Sequence, residues 1–264
     1  MADIAPILEK MRANAPLVQC ITNYVAMNIA ANVLLAAGAS PAMVHAKEEA
    51  GEFAGIASAV TINIGTLSPD WLAGMKAAIE TANRNRTPWV LDPVAHFATG
   101  FRQKAALDLL DLGPTILRGN ASEILAFSGA TSAGKGVDAG DSVAAAEETA
   151  RALAGERNMV VAVTGERDFV TDGTRSARIG GGAPLMPRVT ALGCALTALV
   201  GGYAGAWRAD AFEATVAALA HYGVAGSRAH ERAEGPGSFQ VQFIDALAAV
   251  TPEALAREAE IEWL

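Results

Sequence analysis

Six short runs that are apolar almost from end to end, separated by longer segments of helical period, constrain this chain more than any other feature. They are PLVQCIT (16–22), PAMVH (41–45), AVTINIG (59–65), TPWVLDPV (87–94), PTILRGN (114–120) and NMVVAVTG (158–165), each bounded by turn residues. A strand with one wet face alternates apolar and polar residues, whereas continuous apolar runs mark strands covered on both faces. The intervening segments 26–39, 46–56, 69–85, 102–112, 122–127 and 141–155 read as helices. This alternation predicts an α/β fold with a central, mostly parallel sheet flanked by helices. Beyond residue 165, DFVTDGTRSARIGG reads as a hairpin, and 192–206, 210–231 and 240–248 as helices. No repeat, low-complexity tract or linker interrupts the pattern, so residues 1–264 read as one domain.

Composition narrows the function classes. With 52% hydrophobic and 18% charged residues the chain can bury a large core. A net charge of −8, without a basic stripe or interleaved aromatics, argues against a nucleic-acid partner. Cys20 and Cys194 lack C-x-x-C spacing, and His45, His96, His221 and His230 form no ligand pattern, so neither a disulfide framework nor a structural zinc site is indicated. The opening MADIAPILEKMRANAP carries acidic residues and no long apolar core, so it does not read as a signal peptide. The most apolar stretch, 191–206, is glycine-interrupted and shorter than the roughly 20 residues of a membrane span. The expectation is a cytoplasmic protein with no membrane partner.

The chemistry is concentrated where the strands end, the edge at which open α/β sheets bind ligands. There the chain places Thr22 and Asn23, Asn63 and Gly65, Asp92, Arg118 and Asn120, Thr164 and Gly165. Any one of these could be an ordinary turn residue; their recurrence on one edge points to a site. Asp92 and Glu123 offer hard oxygen ligands for Mg²⁺ beside a phosphate, and Arg118 suits phosphate recognition. VTALGCALTALVGGYAG (189–205) then sets a cysteine at the start of an apolar helix, where free N–H groups and the helix dipole favour anions. One sequence is a decoy: GATSAGKG (129–136) nearly spells a phosphate loop, but it follows helical SEILAF instead of a buried strand and reads as a glycine-rich connection.

Together, CITNYVAMNIAANVLLAAGASPAMVHAKEEA, INIGTL, LDPVA, RGNASEI, VTGE, VTALGC and GPGSFQ resemble the hydroxyethylthiazole kinase family of the ribokinase-like superfamily, in the family's order and from about residue 16 to 240. The resemblance implies a ribokinase-like fold and a homotrimer with an active site at each subunit interface. It implies phosphorylation of the hydroxyl of 4-methyl-5-(2-hydroxyethyl)thiazole by ATP with Mg²⁺, in thiamine salvage. By position it makes Cys194 and Gly193 the catalytic turn, Met43, Ala191 and Asn23 the substrate pocket, Arg118 and Thr164 the ATP contacts, and Asp92 and Glu123 the metal-associated acids. Related kinases place an aspartate base where Cys194 stands. A thiol with a pKa near 8.5 is a poor acceptor unless the helix start lowers it, so Cys194 is expected to act mainly by position.

Two departures stand out. The family often has glycine at Ala191, and alanine there is strained if the backbone needs positive φ but harmless if it is helical. VAHFATGF after Asp92 replaces a more glycine-rich stretch. The alternatives are a sister kinase for hydroxymethylpyrimidine or pyridoxal, which ITNYVAMNIAAN and the cysteine disfavour, and a thiazole-binding protein without turnover.

Overall fold

In the computed structural model, which describes residues 3–128 and 139–264, all six apolar runs form strands of a single sheet. They are β1 (Leu17–Ile21), β2 (Ser40–Ala42), β3 (Ala59–Asn63), β4 (Trp89–Asp92), β5 (Ile116–Asn120) and β6 (Val160–Thr164). They lie parallel in the order β2-β1-β3-β4-β5-β6. The expected hairpin follows as β7 (Asp168–Thr171) and β8 (Ser176–Ile179), and β9 (Ile261–Trp263) pairs antiparallel with β8 at the edge.

Helices cover both faces. On one side lie α1 (Ala5–Asn14), α2 (Met27–Ala37), α8 (Leu192–Ala206), α9 (Ala211–His230), α10 (Pro236–Ala249) and α11 (Pro252–Glu258). On the other lie α3 (Ala50–Ala54), α4 (Pro69–Asn85), α5 (Gly100–Leu110), α6 (Ala121–Phe127) and α7 (Ala139–Arg157). Successive strand residues alternate between the two cores: Val160 and Ala162 join the α8 side, Val161 and Val163 the α7 side. Among the described residues, no helix is long and apolar enough to cross a membrane.

Three elements escape a reading by periodicity. β9 is three residues long, too short to show a period, and α1 and α11 contribute only one or two turns of core residues each. The run 41–45 and the helix expected over 46–56 shrink to Ser40–Ala42 and Ala50–Ala54. A buried side chain accounts for this: Gln19 Nε2 on β1 donates to the carbonyls of Val44 and Ala50, each at 3.0 Å. That segment therefore satisfies its backbone against a side chain instead of a ladder.

The strand order reverses at β1, whose successor β2 lies on one side and β3 on the other. Crevices at such a switch point are where doubly wound sheets bind ligands. α8 runs beside it. Gly201 lets this helix sit close, since a Cβ there would lie 2.4 Å from Thr61 Cγ2 on β3.

Behind α8, the buried His221 of α9 links two elements. Its Nε2 faces the Leu247 carbonyl at 3.0 Å, which can only accept, so Nε2 carries the proton and Nδ1 accepts from Tyr203 OH at 2.8 Å. Burial lowers the imidazole from 6.5 to about 4, so it is neutral in the folded chain. The unfolded chain takes up the proton first; the stabilisation is complete above pH 6.5 and is lost as pH falls toward 4. Urea unfolding at pH 7 and 4 should show the parent chain losing about 3 kcal/mol more than a His221→Gln variant over that interval; equal losses would assign the acid sensitivity to other groups.

Candidate active site

The C-terminal edge of the parallel strands carries one connected set of polar side chains, built around Asn63 at the end of β3. Its Oδ1 accepts from the Gly65 N–H at 2.9 Å, which fixes the amide's orientation and turns Nδ2 toward Asp92 Oδ2 at 2.8 Å. Asn23, just past β1, is fixed in the same way. Its Oδ1 accepts from the Ala26 N–H, so Nδ2 donates to Asn63 Oδ1 at 2.8 Å and to Cys194 Sγ at 3.3 Å. The two amides thus span the β1/β3 switch point and join the thiol to the carboxylate.

Asp92, at the end of β4, is almost fully enclosed. Oδ2 also accepts from Thr197 Oγ1 on α8 at 2.7 Å and lies 3.5 Å from Arg118 Nη1. Oδ1 is buried and has no hydrogen-bond partner among the described residues. Burial raises this carboxyl well above its usual range, against the pull of Arg118. Arg118, on β5, donates through Nη2 to Thr164 Oγ1 at the end of β6. Burial works against its charge, but Asp92 and Glu123 outweigh it and the guanidinium stays cationic.

The start of α8 sits over Arg118. A Cβ on Gly193 would lie 3.4 Å from both Nη1 and Nη2. Among the described residues, no side chain caps this helix. Its first intrahelical bond is Ala195 N–H to the Ala191 carbonyl, which leaves the amides of Leu192, Gly193 and Cys194 directed out of the helix end. A 15-residue helix end with free amides and an arginine beside it is built to hold an anion. Ala191 takes φ +61°, ψ +14°, so of the two backbone possibilities posed by the sequence the strained, left-handed one is realised.

Cys194 is half-buried within this turn. Burial and the neighbouring Asp92 raise its thiol above the ordinary range despite Asn63, Asn23 and Arg118, so the helix start does not make it a thiolate. Its sulfur accepts from Asn23.

Glu123 performs a local task. In the capping box of α6 its Oε2 accepts from the Asn120 N–H at 2.8 Å, while Asn120 Oδ1 accepts from the Glu123 N–H at 2.9 Å. Oε1 accepts from the Ala95 N–H at 2.9 Å, and the Glu123 carbonyl faces His96 Nε2 at 2.9 Å. Arg102 adds bonds to the carbonyls of Ile64, Val94 and Gly65. The bulky VAHFATGF loop is therefore pinned at several points. For a divalent cation the fit is partial but chemically sound: Asp92 offers a bare oxygen and Glu123 lone pairs beyond its amide bonds. Among the described residues there is no cluster of three metal-binding side chains, so phosphate oxygens and water would complete the shell.

The structure brings Asn23, Asp92, Arg118, Glu123, Thr164, Gly193 and Cys194 together along this edge. Met43 directly follows β2 and is packed against the α8-side core. The sequence 129–136 lies outside the described residues. Two participants were missed by sequence reasoning. Thr197 is one helical turn past Gly193 and Cys194, a spacing that could have found it. Asp168, read only as part of a hairpin, accepts from the Gly165 N–H at 2.9 Å and is raised by burial to about 6 within reach of Arg118's charge.

Comparison with known proteins agrees with this architecture. The model of the hydroxyethylthiazole kinase family matches residues 8–253. A hydroxyethylthiazole kinase of Rhizobium rhizogenes is 62% identical over 255 residues, covering 97% of this chain and 95% of its own. A solved hydroxyethylthiazole kinase protein from Pyrococcus horikoshii OT3 superposes with a TM-score of 0.91 at 40% identity, over 100% of both chains. A ribokinase-like superfamily protein from Enterococcus faecalis, 11% identical, shares the fold with a TM-score of 0.66 over 94% of this chain and 95% of its own.

The backbone at Ala191 gives a direct test. The left-handed region costs an alanine roughly 1–2 kcal/mol, and glycine gives back about 0.4–1 kcal/mol of that through its freer unfolded chain. Ala191→Gly should therefore stabilise the protein by about 0.5–1 kcal/mol, read from the urea midpoint; a destabilised variant would mean that the turn carries no strain.

Proposed function

This chain belongs to the hydroxyethylthiazole kinase family, and on that premise we propose that it transfers the γ-phosphoryl group of ATP to the hydroxyl of 4-methyl-5-(2-hydroxyethyl)thiazole, giving thiazole phosphate and ADP for thiamine salvage. The observation that carries the reading is the uncapped start of α8 lying over Arg118. Phosphoryl transfer passes through a loose transition state, so the protein's task is to place the partners and hold charge. The amides of Gly193 and Cys194 meet the γ-phosphoryl oxygens, and Arg118 neutralises charge beside them. Thr164 and Arg118 contact the nucleotide from β6 and β5. Met43, Asn23 and Ala191 border the thiazole, for which a flexible thioether is a good neighbour.

Asp92, with Glu123 beside it, would hold Mg²⁺; when bound, the ion supplies charge neutralisation on the phosphates. Cys194 stands next to the accepting hydroxyl as a protonated thiol. It therefore withdraws no proton before transfer, and the hydroxyl's proton leaves with the phosphoryl oxygens or to water as the O–P bond forms. In this reading residues 1–264 act as one kinase domain in the cytoplasm, assembled as a homotrimer with its sites at the subunit interfaces.

Purified protein given Mg-ATP and hydroxyethylthiazole should release ADP and form thiazole phosphate, scored by mass. Gly193→Asp, which sets a carboxylate against Arg118 in the anion's place, should fold and lose at least about 10²-fold in turnover. No product from the parent chain, with thiazole bound, would sink the kinase reading in favour of a binding protein. Cys194→Asp should retain or raise turnover, because a carboxylate can accept both the Asn23 N–H and the substrate's proton; a folded but inactive variant would remove residue 194 from the reacting hydroxyl.

A further inference from the structure

A left-handed alanine persists only where its surroundings hold it, and among the described residues no side chain caps the helix at Ala191. Helix α9 touches the chain on both sides of it. Before the turn, Gly182 N–H donates to the Gly223 carbonyl at 2.9 Å and lies 3.1 Å from Ser227 Oγ. A Cβ on Gly223 would lie 2.9 Å from the Gly180 carbonyl oxygen, so the incoming chain runs flush against that helix. Immediately after Ala191, the same helix makes a further bond: Tyr222 OH donates to the Leu192 carbonyl at 2.8 Å. The Tyr222 ring is buried, edge-on to Phe243 with centroids 4.6 Å apart.

We propose that Tyr222 is a positioning residue for phosphoryl transfer: its hydroxyl tethers the Leu192 carbonyl from behind and holds Ala191 left-handed, so that the Gly193 and Cys194 amides stay aimed at the anion. The inference rests on the phosphoryl-transfer reading above. The hydroxyl touches no reacting atom and acts through the first turn of α8. Burial holds the phenol far above its usual titration range, so it remains a donor throughout the working range of pH. Displacement of catalytic groups by about 1 Å is enough to cost rate, and an untethered alanine turn would relax toward ordinary φ.

Tyr222→Phe keeps the ring and removes the tether. Turnover should fall about five- to tenfold, the worth of one hydrogen bond, while KM for the thiazole stays within about twofold. Adding Ala191→Gly to Tyr222→Phe should return turnover to that of Ala191→Gly alone, because glycine holds positive φ without help. A second readout needs no turnover: tripolyphosphate should raise the melting temperature of the parent chain, raise that of Tyr222→Phe much less, and regain its effect in the double variant. Parental kcat in Tyr222→Phe overturns the tether, even if the melting temperature falls, because the residue would then only pack. Equal losses of kcat with and without Ala191→Gly overturn it as well. If the parent chain makes no thiazole phosphate, the kinase reading fails instead and the tripolyphosphate series alone decides the tether.

Discussion

One carboxylate oxygen ties the active edge together. Asp92 Oδ2 takes Asn63 from β3 and Thr197 from α8, with Arg118 of β5 within 3.5 Å, so a strand end on each side and the helix above share a single charge. A buried carboxylate is tolerable only when its charge is met by donors and cations, and here the groups that meet it are also those that shape the site. Removing Asp92 would leave the guanidinium without its nearest counter-charge and the Thr197 and Asn63 donors unmatched. The fold and the site are therefore inseparable here.

The same arrangement explains why the thiol stays a thiol. A cysteine at a helix start ordinarily gains acidity, but Cys194 shares its enclosure with Asp92, and low solvent exposure strengthens the repulsion between two anions. The amide pair Asn23 and Asn63 then supplies a neutral bridge between them, oriented in one direction by the backbone amides of Ala26 and Gly65.

Much of this was legible in the sequence, for a physical reason. Strands covered on both faces must be apolar throughout, so the points at which β1, β3, β4, β5 and β6 turn polar mark the exit to the site, and Asn23, Asn63, Asp92, Arg118 and Thr164 all stand there. The glycine before Cys194 marked the helix start. What remained hidden depends on contacts between distant segments. Ala191 takes a left-handed φ of +61°, and nothing in TALGC distinguishes a strained turn from a helical one. Glu123 was legible as an acid near Asp92, but not as the anchor of the 94–98 loop. Gln19, polar within an apolar run, gave no hint that it would shorten β2 by capturing two carbonyls.

The close seat of α8 on the sheet has a mechanical consequence. The helix is a beam whose buried footing is Gly201 and whose tip is the turn at Gly193, about 12 Å away at 1.5 Å per residue. Against Thr61 the footing has no room for even a methyl group, so a lift there would tilt the tip relative to the strand ends beneath it. The aim of the first-turn amides is thus levelled by the smallest of side chains, set two turns down the helix where α8 presses on β3.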